Sequence, residues 1–247
     1  MKLADKIVVV TGAAQGIGAA LCVRFAQDGA RAVVAADIKP AAGVVACDVS
    51  REDDVRRLIE ETEEKFGPID LFCSNAGIAV LDPDWDNPGS ASNDGWARSW
   101  AVNVMAHVYA ARHLVPRMSA RGGGYFLQTV SAAGLLSQIG SAPYSATKHA
   151  ALGFAENLAL TTRDRGIKVS VLCPQGVDTP MLRGITRGVP DGDGVLTPEA
   201  VADIVVAGLD AERFLILPHP EVTTYIRRKA GDYDRWLGGM ARLRRGM

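Results

Sequence analysis

The amino-acid sequence predicts an α/β fold in which a doubly wound parallel sheet carries helices on both faces. Short apolar runs alternate with helical periods along the whole chain. Most of these runs are continuously apolar, which is typical of strands covered on both faces. A turn with three glycines separates the first strand from the first helical period. The 247 residues are 48% hydrophobic and 22% charged, which suits one large domain with a sizeable core.

Seven segments are predicted to be strands: Lys6–Val10, Ala32–Ala36, Gly43–Cys47, Leu71–Ser74, Tyr125–Val130, Lys168–Cys173 and Phe214–Leu217. Two helices have clear start signals. Arg51–Phe66 begins with a capping box formed by Ser50 and Asp53. Pro198–Leu209 has Thr197 as its N-cap and a proline at the first helical position.

Turn-forming residues predict loops at Asp82–Gly95 and Arg183–Gly194. No linker divides the chain, so we expect one domain over residues 1–247. A substrate loop at about 181–197 and a C-terminal helix at about 221–245 are expected to be integral to it. The tail from Glu221 to Leu243 carries apolar residues at helical spacing with arginines between them. It can form a packed face, a cover over the substrate loop or a partner subunit, or a contact with an anionic surface.

Bulk properties exclude several classes of function. The formal net charge of -1 provides no global basic field for nucleic acid. No apolar run reaches the roughly 18 residues of a membrane span, and the first residues lack a leader-cleavage pattern. The four cysteines form no CxxC pair, and the four histidines form no ligand-like cluster. We therefore expect a cytoplasmic protein without a metal, a nucleic-acid partner or a membrane partner.

The first glycine-rich turn indicates a dinucleotide site. Gly12, Gly16 and Gly18 in TGAAQGIG let backbone N–H groups approach a pyrophosphate at a helix N-terminus, although tight strand–helix packing also explains them. Asp37 ends the next strand, where a carboxylate binds an adenosine ribose and repels a 2′-phosphate. The alternative is that Asp37 merely begins a turn. Position and charge together favour NAD over NADP.

A second pattern indicates acid–base chemistry. Tyr144 and Lys148 in YSATK are one helical turn apart and leave the same helix face. A nearby ammonium favours the phenolate and lowers the pKa of a tyrosine, which makes it a suitable proton acceptor. Ser131 follows a predicted strand, where its hydroxyl can bind a substrate oxygen. Chance spacing on an exposed helix and an ordinary turn serine are the plain alternatives.

Taken in order, TGAAQGIG, SNAG, VSAAG and YSATK resemble the motifs of the short-chain dehydrogenase/reductase family, from Lys6 to about Met181. The resemblance implies a Rossmann-type fold and hydride transfer between NAD and a secondary alcohol or ketone. It implies Tyr144 as general acid/base, Lys148 as the residue that holds the nicotinamide ribose and lowers the tyrosine pKa, and Ser131 as the group that orients the substrate. Asn103 matches the family's asparagine, which binds a backbone carbonyl and a water leading to the lysine.

The resemblance and the positions of the residues along the chain together indicate which residues bind the cofactor and the substrate. The cofactor set is Gly12, Gln15, Gly16, Ile17, Gly18, Asp37, Ile38, Asp48, Val49, Asn75, Ala76, Gly77, Tyr144, Lys148, Pro174, Val177 and Thr179. The substrate set is Ser131, Gln175, Leu136, Ile139, Met181 and Leu182, with Leu135 and either Trp85 or Trp96 beside it. This set favours a neutral, apolar small-molecule substrate, whereas Arg183 and Arg187 would suit an acidic group.

Two departures from the family pattern stand out. The connection between Asp37 and Asp48 is too short for the usual helix, and Gln175 follows Pro174 where glycine is usual. Relatives are commonly tetramers, and small residues after Tyr144 allow close helix packing, so we expect a homotetramer. Two other functions stay open, a sensor that binds NAD without turnover and a nucleic-acid contact through the basic tail.

Overall fold

The computed structural model describes residues 1–185 and 193–247. Within them, seven strands form one fully parallel sheet in the order β3-β2-β1-β4-β5-β6-β7. The strands are β1 Ile7–Thr11, β2 Ala32–Asp37, β3 Val44–Ala46, β4 Leu71–Ser74, β5 Gly124–Thr129, β6 Ile167–Leu172 and β7 Leu215–Ile216. The predicted fold class and all seven predicted strands are confirmed, with ends that differ by at most one residue.

The helices are α1 Gly16–Gln27, α2 Glu52–Phe66, α3 Asn93–Trp100, α4 Ala106–Ala120, α5 Ala142–Thr162, α6 Pro180–Arg183, α7 Pro198–Asp210, α8 Glu221–Gly231 and α9 Tyr233–Arg245. Apolar residues of α1 and α7 pack on one face of the sheet. Those of α2, α4 and α5 pack on the other face. The chain runs outward through β3 and then crosses back to β4 beside β1. This reversal opens a crevice at the carboxyl ends of β1 and β4.

Two predicted helix starts have different outcomes. The Thr197 side chain accepts a hydrogen bond from Ala200 N, so its prediction as an N-cap is confirmed. The predicted capping box of α2 is wrong, because Arg51 is the N-cap and makes no side-chain capping bond. Ser50 instead donates its N–H and hydroxyl to Asp48 Oδ1, at 3.0 and 2.7 Å. The Ser50 hydroxyl therefore bonds to the Asp48 carboxylate in a local turn instead of capping α2.

The tail is not one helix, and this part of the prediction is wrong. Helix α8 ends at Gly231, and Asp232 is extended and caps α9 by accepting a hydrogen bond from Arg235 N at 2.9 Å. The predicted loop at 82–95 ends early, because Ser92 caps α3. Most of the predicted loop at 183–194, including Arg187, lies outside the described residues. Across the described ranges, the helices include none with the length and apolar character of a membrane span.

Candidate active site

The carboxyl ends of the strands border a cavity of about 980 Å³. Most predicted site residues line it: Gly12, Gln15, Gly16, Ile17, Asp37, Ile38, Asp48, Val49, Asn75, Ala76, Gly77, Ser131, Leu136, Tyr144, Lys148, Pro174, Gln175, Val177, Thr179, Met181 and Leu182. Gly18, Asn103 and Ile139 are not in the lining. Gly18 is buried beneath the glycine turn, Asn103 is buried behind Gly77, and the chain turns after Gln138 to pack Gly140 against Trp85.

The glycine turn is shaped by close backbone contacts. Gly12 has a φ of +66°, and a Cβ there would lie 2.8 Å from the Cα of Ala76. A Cβ on Gly18 would overlap the carbonyl of Gly12. Asn75 fixes the turn through its amide, since Nδ2 donates to the carbonyl of Thr11 at 3.0 Å and Oδ1 accepts from Thr129 Oγ1 at 3.0 Å. The N-terminus of α1 therefore meets the cavity where Gly12 and Gly16 carry no side chain.

Asp37 lies at the carboxyl end of β2 and lines the cavity beside this turn. Its Oδ2 accepts a hydrogen bond from Ala14 N at 3.0 Å, and its Oδ1 accepts one from Lys39 N at 2.9 Å. The carboxylate thus holds the turn and still has acceptor capacity on both oxygens. The ammonium of Lys39 lies 3.4 Å from Gln15 Oε1. Residues 38–43 form no helix, in agreement with the short connection in the sequence.

The predicted acid–base residues meet at the floor of the cavity. Lys148 is 2% exposed, and its Nζ donates to the carbonyl of Thr129 at 3.0 Å and lies 5.5 Å from the centre of the Tyr144 ring. Ser131 hydrogen-bonds with Tyr144. Ser131 has a φ of 136°, a strained value for a residue with a Cβ, and its Oγ accepts from Ala133 N at 3.1 Å. Strain of this kind is typical of functional sites.

The electrostatics differ from the expectation for Tyr144. Burial raises the pKa of Tyr144, and the hydrogen bond with Ser131 works in the opposite direction. Burial also lowers the pKa of Lys148, to about 8. The expected lowering of the tyrosine pKa by Lys148 is absent from the protein alone. Desolvation of the phenolate is the dominant effect at this site.

Asn103 lies in a single π-helical turn, Ala101–Met105, between α3 and α4. Its Oδ1 accepts from Ile78 N and its Nδ2 donates to Ile78 O, both at 2.9 Å, and Nδ2 also donates to Thr147 Oγ1 at 3.1 Å. A Cβ on Gly77 would lie 3.3 Å from Lys148 Nζ and 3.4 Å from Asn103 Oδ1. Asn103 and Lys148 are therefore neighbours, and π-turns of this kind often occur at functional sites.

The far wall of the cavity is the tail hairpin, defined as α8 and α9, so the structure agrees with one of the alternatives left open for the tail, a cover over the substrate loop. The hairpin contributes Tyr225, Arg228, Trp236, Met240 and Leu243 to the lining, and Met247 lies beside them. Lys229 Nζ donates to the carbonyls of Leu135 and Leu136, both at 2.8 Å. Arg244 binds Asp86 at 2.6 Å and stacks over the ring of Trp85. The helical apolar spacing was the visible signal, but it did not show which surface the hairpin covers.

Two predicted side chains, Gln175 and Arg183, have partners that change their interpretation, and three others lie outside the cavity lining. Gln175 Nε2 donates to Asp193 Oδ2 at 2.7 Å, and Tyr225 donates to the other oxygen of Asp193 at 2.9 Å. Gln175 therefore connects β6 to the tail hairpin. Arg183 is exposed and binds Asp178 at 2.8 Å. Leu135 packs on the core under α5 rather than in the cavity lining, and Trp85 and Trp96 are outside the lining too.

No group of three His, Cys, Asp or Glu side chains that could hold a metal ion occurs in the part of the chain that the structure describes. The cavity instead offers a glycine turn, a helix N-terminus, a carboxylate at the end of β2 and a Ser–Tyr–Lys cluster. These groups fit a dinucleotide with its reactive end near Tyr144.

Residues 6–189 match the family model described as short chain dehydrogenase. The chain is 36% identical to 1-deoxy-11-beta-hydroxypentalenate dehydrogenase of Streptomyces exfoliatus, over 95% of this chain and 90% of that protein. It is 32% identical to epidermal retinol dehydrogenase 2 of Mus musculus, over 87% and 75% respectively. Among solved structures, a short chain dehydrogenase/reductase from Burkholderia phymatum in complex with NAD superposes with a TM-score of 0.83. It is 28% identical and is matched over 95% of this chain and 96% of that chain.

Proposed function

The chain belongs to the short-chain dehydrogenase family, and on that premise we propose that it is an NAD-dependent oxidoreductase that interconverts a secondary alcohol and a ketone. The observation that carries the proposal is the meeting of Ser131, Tyr144 and Lys148 beside the glycine turn. Ser131 follows β5, whereas Tyr144 and Lys148 lie on α5, and both elements contribute residues to the core, which supports a site that is in place before a ligand binds.

The residues present fit a nicotinamide dinucleotide. Side-chain-free Gly12 and Gly16 leave the N-terminus of α1 open to a pyrophosphate, and Asp37 is placed for an adenosine ribose. The negative charge of Asp37 disfavours a 2′-phosphate, which supports NAD over NADP. Val177 and Thr179 would face the nicotinamide end. The bound dinucleotide supplies a hydride acceptor or donor, a chemistry that no side chain of the protein provides.

The protein's own residues handle the proton and the substrate oxygen. Ser131 orients the substrate hydroxyl, and Tyr144 Oη takes its proton during oxidation or returns one to the carbonyl during reduction. Lys148, fixed by Thr129, presents a positive charge to the nicotinamide ribose and to the phenolate as it forms. Asn103 holds the loop at Ile78 and so keeps Gly77 against Lys148.

The substrate end favours a bulky, largely apolar small molecule. Leu136, Met181, Leu182, Trp236 and Met240 line it. Two relatives are named for hydroxypentalenate and retinol, which carry hydroxyl groups. Both observations support a ring-containing alcohol.

The decisive experiment compares Tyr144→Phe with the wild type. We expect turnover of cyclic secondary alcohols with NAD to fall at least 100-fold, while the variant still binds NADH. Tyr109→Phe, on α4 and away from the cavity lining, is the matched control and should retain activity. Equal activity of Tyr144→Phe and wild type would contradict the proposal and favour an NAD sensor without turnover.

We also propose a homotetramer, in the cytoplasm, with one domain over residues 1–247. Ala146, Ala150 and Gly153 lie partly or fully exposed on α5, whereas Ala151 and Ala155 are buried in the protein's own core. Leu160 is 79% exposed on the same helix. The exposed small residues support close packing of a second copy on this face. Sedimentation of wild type and Leu160→Glu tests it, and a monomeric wild type would refute it.

A further inference from the structure

Arg228 is a cation at the substrate end of the cavity, and none of the described residues pairs with its side chain. It lies on α8, lines the cavity, and is exposed. Within the described ranges its guanidinium makes no ion pair or hydrogen bond, whereas nearby cations are engaged. Lys229 binds two carbonyls, Arg244 binds Asp86, and Arg183 binds Asp178. Arg228 is therefore available to a ligand in the cavity.

The apolar surroundings of Arg228 strengthen an ion pair between its guanidinium and a ligand in the cavity. Tyr225, Trp236, Met240 and Leu243 cover this wall of the cavity with mostly apolar surface. A substrate that fills the space displaces water, and an ion pair gains strength as the local dielectric falls. Asp193, a carboxylate in the same cavity lining, already accepts hydrogen bonds from Gln175 and Tyr225.

The wall that carries Arg228 is also held in place. Lys229 attaches α8 to the segment at Leu135 and Leu136, and Arg244 attaches α9 to Asp86. Tyr225 attaches α8 to Asp193. The helix that carries Arg228 is therefore in place before a ligand binds, and the guanidinium can present two parallel N–H groups to a planar carboxylate.

We propose that Arg228 binds a carboxylate on the substrate, at the end opposite the reacting hydroxyl. The substrate is then a bulky apolar hydroxy acid whose ring system lies against the tail hairpin. The position of the reacting hydroxyl rests on the function proposed above. Arg228 takes the place of Arg183, the acid-binding candidate in the sequence that the structure pairs with Asp178.

A pair of probes separates the charge from the apolar body: a hydroxydecalin carboxylic acid with a secondary hydroxyl, and its methyl ester. Equilibrium dialysis in the presence of NADH measures binding without oxidation. We expect the wild type to bind the acid at least tenfold more tightly than the ester. Arg228→Gln should lose that preference and leave ester binding unchanged. Arg227→Gln, the adjacent exposed arginine outside the cavity lining, is the matched control and should behave as wild type.

Three results would overturn the inference: equal binding of acid and ester by the wild type, no binding of either, or a loss of preference in Arg227→Gln or Arg98→Gln instead of Arg228→Gln. Arg98 is the other unpaired arginine in the described cavity lining, on α3. Turnover with NAD is measured separately. Arg228-dependent acid binding without turnover of either probe would contradict the proposed oxidation of such ring alcohols and keep Arg228 as the residue that binds the carboxylate. Turnover of the ester by a wild type that does not prefer the acid would support the oxidoreductase and overturn the role of Arg228.

Discussion

The ammonium of Lys148 donates a hydrogen bond to the carbonyl of Thr129 at 3.0 Å, so a buried cation on α5 is attached to the last residue of β5. The contact fixes the distance between the helix that carries Tyr144 and the strand that leads to Ser131. Burial of the ammonium has an energetic cost, and this cost lowers the pKa of Lys148 to about 8.

The first prediction concerns this cost. The unfolded chain binds a proton at Lys148 up to a higher pH than the folded protein, so the free energy of unfolding should rise between about pH 8 and pH 10. Lys148→Met should abolish activity and stabilise the cofactor-free protein by about 1–2 kcal/mol at pH 7. Chemical denaturation at pH 7 and 9.5 checks both points. A variant that is less stable at pH 7 would show that the bond to Thr129 outweighs desolvation.

The second prediction concerns His107, a fully buried histidine on α4. Neither of its ring nitrogens has a hydrogen-bond partner in the part of the chain that the structure describes, and burial lowers its pKa to about 3. The unfolded chain gains a proton there below about pH 6.5 and the folded protein does not. Stability should therefore fall as the pH falls through this window, by about 2 kcal/mol at pH 5. In His107→Leu this part of the acid sensitivity should vanish, and an unchanged pH slope would disprove the assignment.

A third prediction follows from the opposing influences on Tyr144. Oxidation of an alcohol needs the phenolate, so kcat/KM for oxidation should rise with pH and that for reduction should fall. The hydrogen bond with Ser131 lowers the pKa of Tyr144. Ser131→Ala should therefore move the inflection of both pH profiles to higher pH, besides slowing the reaction. A slower variant with an unmoved inflection would mean that Ser131 acts on the substrate alone.

Cofactor choice provides the fourth prediction. Replacing Asp37 by Ser removes the charge that opposes a 2′-phosphate, and the ratio of kcat/KM for NADH to that for NADPH should fall at least tenfold. Steady-state kinetics with both cofactors measures the ratio. If both values fell equally, Asp37 would serve only to hold the turn through Ala14 and Lys39.

The fifth prediction contrasts two glycines. A Cβ on Gly18 would overlap the carbonyl of Gly12 and lie 2.7 Å from Asn75 Nδ2. Gly18→Ala should therefore destabilise the fold by about 1–3 kcal/mol and weaken NADH binding. Gly238 lies in α9, where a Cβ meets only the end of Arg242 at 3.9 Å. Gly238→Ala should stabilise by about 0.5–1 kcal/mol. Thermal melts measure the stability of both variants, and equilibrium dialysis measures their NADH binding. If the two variants changed stability by similar amounts in the same direction, the prediction would be wrong.

Local patterns predicted the sheet well because most of its strands are buried on both faces and are therefore mainly apolar. The same logic failed at the start of α2, where Asp48 binds Ser50 before the helix can. It failed again at Asp232, whose extended backbone splits a continuous apolar period into two helices. Competition for hydrogen bonds among neighbouring residues decides where these helices begin and end. Hydrophobic periodicity carries no information on that competition.

The sequence by itself determined which segments form strands, where the glycine turn lies, and that Ser131, Tyr144 and Lys148 are the candidate acid–base residues. Each of these depends on the spacing of residues along one or two adjacent elements. Only the tertiary structure decided that Lys148 is bound to Thr129, that Gln175 reaches Asp193, and that Arg228 joins the cavity wall. These are contacts between segments distant in sequence. They depend on how the sheet twists and how the tail hairpin docks, and burial then sets the charges and pKa values that the chemistry uses.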